Sequence, residues 1–262
     1  MHQAALAEVG LNDWSYDATS VEPQHLGEAV ARLRGNEYAG ANVTVPHKET
    51  VIPFLDGLTP VAQAIGAVNT IIKKDGRLIG HNTDAAGFLA DLHAHGVSLT
   101  HRTVLLLGSG GAARAVVAAC AGVGASLRVA ALEHPQAETL KTIAPLEIFG
   151  WTSLDLLQAS DGVALIVNTT PLGMSPKTEA SPWMEDVPFP PEAFVYDCVY
   201  NPAETQLVRQ AHAAGLGAAT GLGMLVEQGA LAFELWTGKP AARALMRRAA
   251  EEKLFGPTAA RS

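Results

Sequence analysis

The stretch Thr103-Val104-Leu105-Leu106-Leu107, followed at once by Gly108-Ser109-Gly110-Gly111-Ala112-Ala113, constrains the fold of this chain more than any other. An uninterrupted apolar run of that length reads as a strand buried on both faces, as in a parallel sheet covered by helices. The next six residues fit G-x-G-x-x-A and lead into an Ala/Val-rich helical run. In that setting the first glycine makes a tight turn and the second lets backbone N–H groups approach a pyrophosphate. The small third residue allows close helix–strand packing, and the helix N-terminus attracts the anion. A glycine turn without a ligand is the plain alternative, which the strand–turn–helix context disfavours.

Further strands are expected at Leu127–Ala131, Gly162–Val167 and Ala193–Asp197, separated by helical segments. Strands alternating with helices predict a doubly wound parallel sheet from about residue 100 to 220. The helices Gly221–Gly238 and Ala241–Leu254 come after it and can return to the first domain. Upstream, the elements are shorter and mixed. Met1–Gly10 reads as a helix, Trp14–Ala18 as a short strand, and Pro23 opens a helix that Gly35 ends. Ala41–Val45 is a strand running into Pro46-His47-Lys48. A helix through Val51, Phe54 and Leu55 comes next, then another from Pro60 to Ile65. Val68–Ile72 and Leu78–Gly80 form a hairpin around Asp75-Gly76, and Asn82-Thr83-Asp84 caps a helix. The expected class is α/β, with a smaller N-terminal α/β domain before a Rossmann-type sheet.

Composition agrees with that reading. At 262 residues the chain is just under twice a typical domain of about 150. Hydrophobic residues are 48% and charged residues 17%, so a sizeable core is possible and disorder is excluded. A net charge of −8 argues against nucleic acid as a partner. Cys120 and Cys198 are too few for a disulfide scaffold and read as reduced cytoplasmic thiols. The small-apolar stretch Val104–Leu132 is broken by Arg114, Arg128 and glycines, and fails as a membrane span. Met1-His2-Gln3-Ala4 does not begin a signal peptide.

Three polar residues follow short apolar strands in the first domain: Lys48, Asn69 and Asp84. Carbonyl reduction by hydride transfer needs a proton donor for the developing alkoxide, which a lysine can supply. A nearby carboxylate could orient substrate hydroxyls. Spacing alone favours a solvated surface lysine and an N-cap aspartate. His93 and His95 are two apart, on different faces of a helix, so no metal site is expected. After the second strand, Ala131-Leu132-Glu133-His134-Pro135-Gln136 puts Glu133 late for an NAD ribose and offers no Arg or Lys for a 2′-phosphate. That loop by itself leans against NADP.

Several segments together resemble the shikimate dehydrogenases. They are Asn42–Lys48, Gly66–Thr70, Gly80–Phe88, Gly108–Ala115, Asn168–Met174, Tyr196–Pro202 and Gly221–Gln228, in family order over nearly the whole chain. The resemblance outweighs the plainer reading of Lys48 and Asp84. It implies NADPH-dependent reduction of 3-dehydroshikimate to shikimate, toward chorismate and the aromatic amino acids. It implies a substrate-binding domain over 1–98, a Rossmann domain over 99–219, and C-terminal helices over 220–262 that pack on the first domain. Lys48 and Asp84 are then catalytic, with Lys48 as proton donor in reduction. Thr44, Asn69, Tyr200 and Gln228 join them in holding substrate. Gly108, Ser109, Gly110, Gly111 and Ala112 would hold the pyrophosphate, with Cys198 and Gly221 beside the nicotinamide. The partner is a small molecule, with neither nucleic acid nor membrane, and a homodimer is left open.

Two departures from the family pattern shape the expectations. The family's Asn-Arg-Thr-x-x-Arg/Lys cofactor loop aligns with Ala131–Gln136, which lacks both cations; weaker NADP preference, or use of NAD, is expected. The family also begins with a strand and a Gly-x-Pro-x-x-His-Ser-x-Ser-Pro segment whose serines bind the substrate carboxylate. Met1–Leu6 matches the family's residues just after that segment. About twenty residues are therefore expected to be missing, leaving the first sheet one strand short. A start codon assigned too late is the preferred explanation, with a genuinely short, impaired protein as the alternative. The functional alternatives are an NAD-using quinate/shikimate dehydrogenase and a nucleotide-binding regulator without catalysis.

Overall fold

The structure is a computed structural model and describes residues 1–256. In chain order its helices and strands are α1 (His2–Glu8), α2 (Leu26–Arg32), β1 (Gly40–Asn42), β2 (Gly57–Leu58), α3 (Pro60–Ile65), β3 (Thr70–Lys74), β4 (Arg77–His81) and α4 (Asp84–Ala94). There follow β5 (Thr103–Leu107), α5 (Gly111–Gly122), β6 (Ser126–Ala130), α6 (His134–Glu138), β7 (Glu147–Phe149), α7 (Ser153–Ala159) and β8 (Leu165–Asn168). The last elements are β9 (Phe194–Asp197), α8 (Gln206–Ala213), β10 (Ala218–Thr220), α9 (Leu222–Thr237) and α10 (Arg243–Phe255).

Among the described residues, the first compact unit comprises Met1–Gly87 and residues 226–256. Its sheet has the order β1-β3-β4-β2. The β3–β4 hairpin is antiparallel, and its turn residues Asp75 and Gly76 both have positive φ (50° and 75°), which matches the twist of the strands they join. Leu26, Val30, Val51, Ala62, Val68, Ile71 and Leu78 form the buried cluster on which this sheet rests. The C-terminal helices belong to this unit: α10 packs on α1, and the Trp236 indole N–H donates to Ile71 O at 2.9 Å.

The second unit, Phe88–Leu225, holds six parallel strands in the order β10-β9-β8-β5-β6-β7. The order reverses between β5 and β8, so the crevice beyond their carboxyl ends is the expected ligand position in such a sheet. Val104, Leu105, Leu106 and Leu107 are fully buried, as strands covered on both faces require.

The structure corrects several local expectations. Trp14–Ala18 is not a strand. Tyr16 instead stacks its ring on His2 at 4.1 Å, and its N–H donates to Gln3 Oε1, so no ladder forms there. The helix expected through Val51–Leu55 is a three-residue turn of 3-10 helix, Ile52–Phe54, where Pro53 removes a backbone donor. The first long strand stops at Asn42, although Val43 N still donates to Asn69 O at 2.8 Å. The two compact units divide inside α4 and α9, at 87/88 and 225/226. The reason at the first is packing: Phe88 meets Tyr196 edge-on at 5.1 Å, and Asp91 accepts from the Tyr196 hydroxyl at 2.6 Å. Residues 257–262 of the expected C-terminal segment lie outside the described residues.

Candidate active site

In the first unit a hydrogen-bonded cluster assembles from four separate elements. Lys48 lies in the segment after β1, whose path is fixed by backbone and side-chain anchors. His47 donates its ring N–H to Val21 O at 2.7 Å, and Lys48 O accepts from Val68 N at 2.7 Å. The Lys48 ammonium then donates to Asp84 Oδ2 at 2.7 Å. Their side chains are 19% and 10% exposed, so the pair is largely shielded yet reachable.

Asp84 does not cap α4. Asn82 Oδ1 takes that role, accepting from Asp84 N at 3.0 Å and Ala85 N at 3.4 Å. Asp84 is therefore the first residue of the helix, with its carboxylate free to turn toward Lys48. The positive end of the helix favours its charge there.

Asn69 organises the other side of the carboxylate. Its amide Nδ2 lies 2.8 Å from Asp84 Oδ1, 2.9 Å from Thr83 Oγ1 and 3.2 Å from Gln228 Oε1. Two hydrogens cannot serve three acceptors at once, so the longest contact, to Gln228, is the one most readily given up to a ligand. The amide oxygen accepts from Thr83 N at 2.8 Å and Thr70 Oγ1 at 2.9 Å, which fixes the orientation of the side chain. Gln228 reaches this cluster because α9 passes close to α4 at Gly87, where a Cβ would lie 2.8 Å from Gln228 N. Thr44 is exposed at the start of the Lys48 segment and stands outside the cluster. Thr70, Asn82 and Thr83 are buried scaffold that the sequence reading placed in motifs, Asn82 and Thr83 also in the helix cap, but not in the site.

In the second unit the glycine-rich turn stands between β5 and α5. Gly108 has φ +99°, and a Cβ on it would lie 2.6 Å from Thr170 Cγ2, so glycine is required twice over. Cβ atoms at Gly110 and Gly111 would meet nothing within 4 Å. That open cradle fronts the N-terminus of α5, where Gly110 caps with no side chain and Ala113 N donates to Gly110 O at 3.0 Å; the opening N–H groups of a helix face outward toward an anion. These residues fit a bound pyrophosphate. Ser109 donates its hydroxyl to Gln136 Oε1 at 3.3 Å, and Ala112 lies in the first helical turn.

Cys198 follows β9, its N–H donating to Asn168 O at 2.9 Å. Gly221 N donates to Val199 O at 3.2 Å, and a Cβ on Gly221 would collide with Cys198 O. Tyr200 is exposed at the end of the same segment. Leu132, Glu133, His134, Pro135 and Gln136 are all exposed and include no lysine or arginine, so a cation for a 2′-phosphate does not come from this loop.

Among the described residues, no helix is long and apolar enough to cross a membrane. Residues 1–71 match the family model described as the shikimate dehydrogenase substrate binding domain. Residues 221–251 match that of the shikimate 5'-dehydrogenase C-terminal domain. A protein of Symbiobacterium thermophilum named shikimate dehydrogenase (NADP(+)) is 44% identical, covering 98% of this chain and 90% of its own length. One of Moorella thermoacetica with the same name is 42% identical over 100% of this chain and 92% of its own. The shikimate 5-dehydrogenase of Thermus thermophilus, solved in complex with NADP(H) and shikimate, aligns with a TM-score of 0.88 at 38% identity. That alignment covers 97% of this chain and 93% of the other. These likenesses do not favour an NAD-using quinate/shikimate dehydrogenase or a regulator without catalysis. The chain belongs to the shikimate dehydrogenase family.

Proposed function

We propose that this chain reduces 3-dehydroshikimate to shikimate with NADPH, a step toward chorismate and the aromatic amino acids. The observation that carries the proposal is the Lys48–Asp84–Asn69–Gln228 cluster, in which one ammonium and one carboxylate are held by fixed hydrogen bonds. Bound NADPH supplies the hydride. Lys48 gives its Nζ proton to the alkoxide that develops from the substrate carbonyl, and takes a proton from the hydroxyl in the reverse direction. Asp84 orients the ammonium and accepts from substrate hydroxyls. Asn69 and Gln228 offer amide groups to the remaining hydroxyls, with Thr44 and Tyr200 as further substrate contacts. Gly108 to Ala112 and the start of α5 hold the pyrophosphate, with Cys198 and Gly221 assigned to the nicotinamide.

The test is reduction of NADP⁺ by the purified chain with shikimate as donor, repeated with NAD⁺. Turnover with NADP⁺ is expected, with shallow discrimination against NAD⁺ because Ala131–Gln136 carries no cation. Absence of turnover with shikimate in either direction would refute the assignment. We assign the reaction to the cytoplasm. No disulfide joins Cys120 and Cys198, which suits a reducing compartment.

A further inference from the structure

At the carboxyl end of β9, inside the second unit, Asp197 is fully buried and accepts three hydrogen bonds. The donors are neutral: Thr205 Oγ1 at 2.7 Å on Oδ2, with Asn168 Nδ2 at 2.8 Å and Val199 N at 3.0 Å on Oδ1. Burial raises this carboxyl to about 6, so holding it charged at neutral pH costs the fold stability. A fully buried carboxyl whose partners are neutral is a costly way to fill space, and its partners show what it is connected to.

Each donor belongs to a different piece of the sheet's carboxyl edge. Thr205 is the N-cap of α8, where its hydroxyl also accepts from Val208 N at 3.3 Å. Val199 follows Cys198 and pairs through its carbonyl with Gly221 N. Asn168 ends β8, and its own side chain carries the connection onward. Its Oδ1 accepts from Thr170 N at 2.9 Å and from Thr170 Oγ1 at 2.7 Å. Thr169 in turn donates to Leu107 O at 2.9 Å and Gly108 O at 3.2 Å, and the Thr170 methyl closes on Gly108. A continuous set of contacts thus runs from Asp197 through Asn168 to the glycine turn. It spans the place where the strand order reverses, between β5 and β8.

We propose that Asp197 is a positioning residue for the dinucleotide site, fixing the segments after β5, β8 and β9 and the start of α8 as one rim. The proposal rests on the reading of that rim as the NADP site. Asp197 touches no ligand; it acts through Asn168 and Val199. Asparagine at 197 can keep the contacts to Asn168 and Val199 through which Asp197 acts. Its amide oxygen replaces Oδ1 and still accepts twice, while its NH₂ donates to Thr205 Oγ1, reversing one bond. Alanine keeps none of it.

The experiment measures NADP⁺ dissociation constants by calorimetry on the full chain, together with the KM for shikimate at saturating NADP⁺. Asp197→Ala is expected to raise the NADP⁺ Kd about tenfold while leaving the shikimate KM within about twofold. Asp197→Asn is expected to bind like the parent, and Thr170→Val, which removes the hydroxyl's bond to Asn168 Oδ1 together with the one it accepts from Leu172 N, to weaken NADP⁺ about threefold. Unchanged NADP⁺ binding in Asp197→Ala overturns the proposal, as does equal loss for both ligands in step with a lowered Tm. If Asp197→Ala does not fold, Thr170→Val decides, and parent-like binding by it overturns the proposal. Should the parent chain itself not bind NADP⁺, the functional reading fails and this one with it; binding by the parent with no response in the variants sinks this one alone.

Discussion

Replacing Lys48 with alanine separates proton transfer from every other role of the site. The ammonium it removes is held 2.7 Å from Asp84 Oδ2, with the two side chains 19% and 10% exposed. Loss of a positioned general acid costs about 10²–10⁴ in rate, or roughly 2.7–5.4 kcal/mol of barrier at about 1.36 kcal/mol per tenfold. The effect on folding is smaller. Breaking a fully buried pair costs about 3–5 kcal/mol. Here both groups keep some solvent, and Asn69 Nδ2 remains on Asp84 Oδ1, so about 1–2 kcal/mol is expected. The variant should therefore fold, bind NADP⁺ as the parent does, and show a shikimate KM raised only a few-fold. The assay is steady-state formation of reduced nicotinamide from shikimate and NADP⁺, with urea denaturation as the control for folding. A kcat above about a tenth of the parental value would refute Lys48 as the proton donor. Asp84→Asn supplies a second check. Because the two groups act as one unit, the double variant should be scarcely slower than Lys48→Ala, and multiplicative losses would mean that they act independently.

Two further outcomes concern the second unit. Tyr196→Phe keeps the buried ring against Phe88 but deletes the hydroxyl that donates to Asp91 Oδ2 at 2.6 Å. Asp91 then keeps a longer contact to His95, at 3.7 Å, and about 1.5–3 kcal/mol of stability should be lost in urea unfolding; a loss below about 0.5 kcal/mol would contradict this. Asp197 titrates at about 6 when folded, against an ordinary value of 3.8, so the folded state favours its protonated form. Its contribution is fully present below the unfolded value and is lost as pH rises through about 6. A shift of about two pH units is worth roughly 3 kcal/mol. Relative to Asp197→Asn, the parent should therefore lose up to that much stability between about pH 4 and pH 8, as read by urea unfolding at both ends. A constant difference between the two proteins would show that Asp197 is not desolvated as described.

How much was legible beforehand depended on the range of the forces involved. The β5–turn–α5 unit is visible because its determinants are neighbours: apolar residues in a row, then glycines where the backbone needs them. The β3–β4 hairpin is legible for the same reason, with Asp75-Gly76 between two apolar runs. The two-residue strand Gly57–Leu58 and the three-residue β7 and β10 carry no periodicity of their own; pairing with neighbours makes them strands. Trp14–Ala18 alternates like a strand, yet the tertiary structure stacks Tyr16 on His2 instead.

The candidate site divides in the same way. Sequence by itself determined the residue types, their order and the family they resemble, because motifs are local strings. It could not decide between a cap and a catalytic role for Asp84, since that turned on Asn82 taking the cap and on an amine 36 residues earlier reaching the carboxylate. Nor could it bring Gln228 to Asn69, 159 residues apart, which needed α9 to pass α4 at a glycine. Asp197 looked like one letter of a motif until folding buried it among donors from three segments. Short-range sterics and hydrophobic pattern are written along the chain. Hydrogen bonds between distant groups, and the desolvation that gives them weight, exist only once tertiary packing has removed the water.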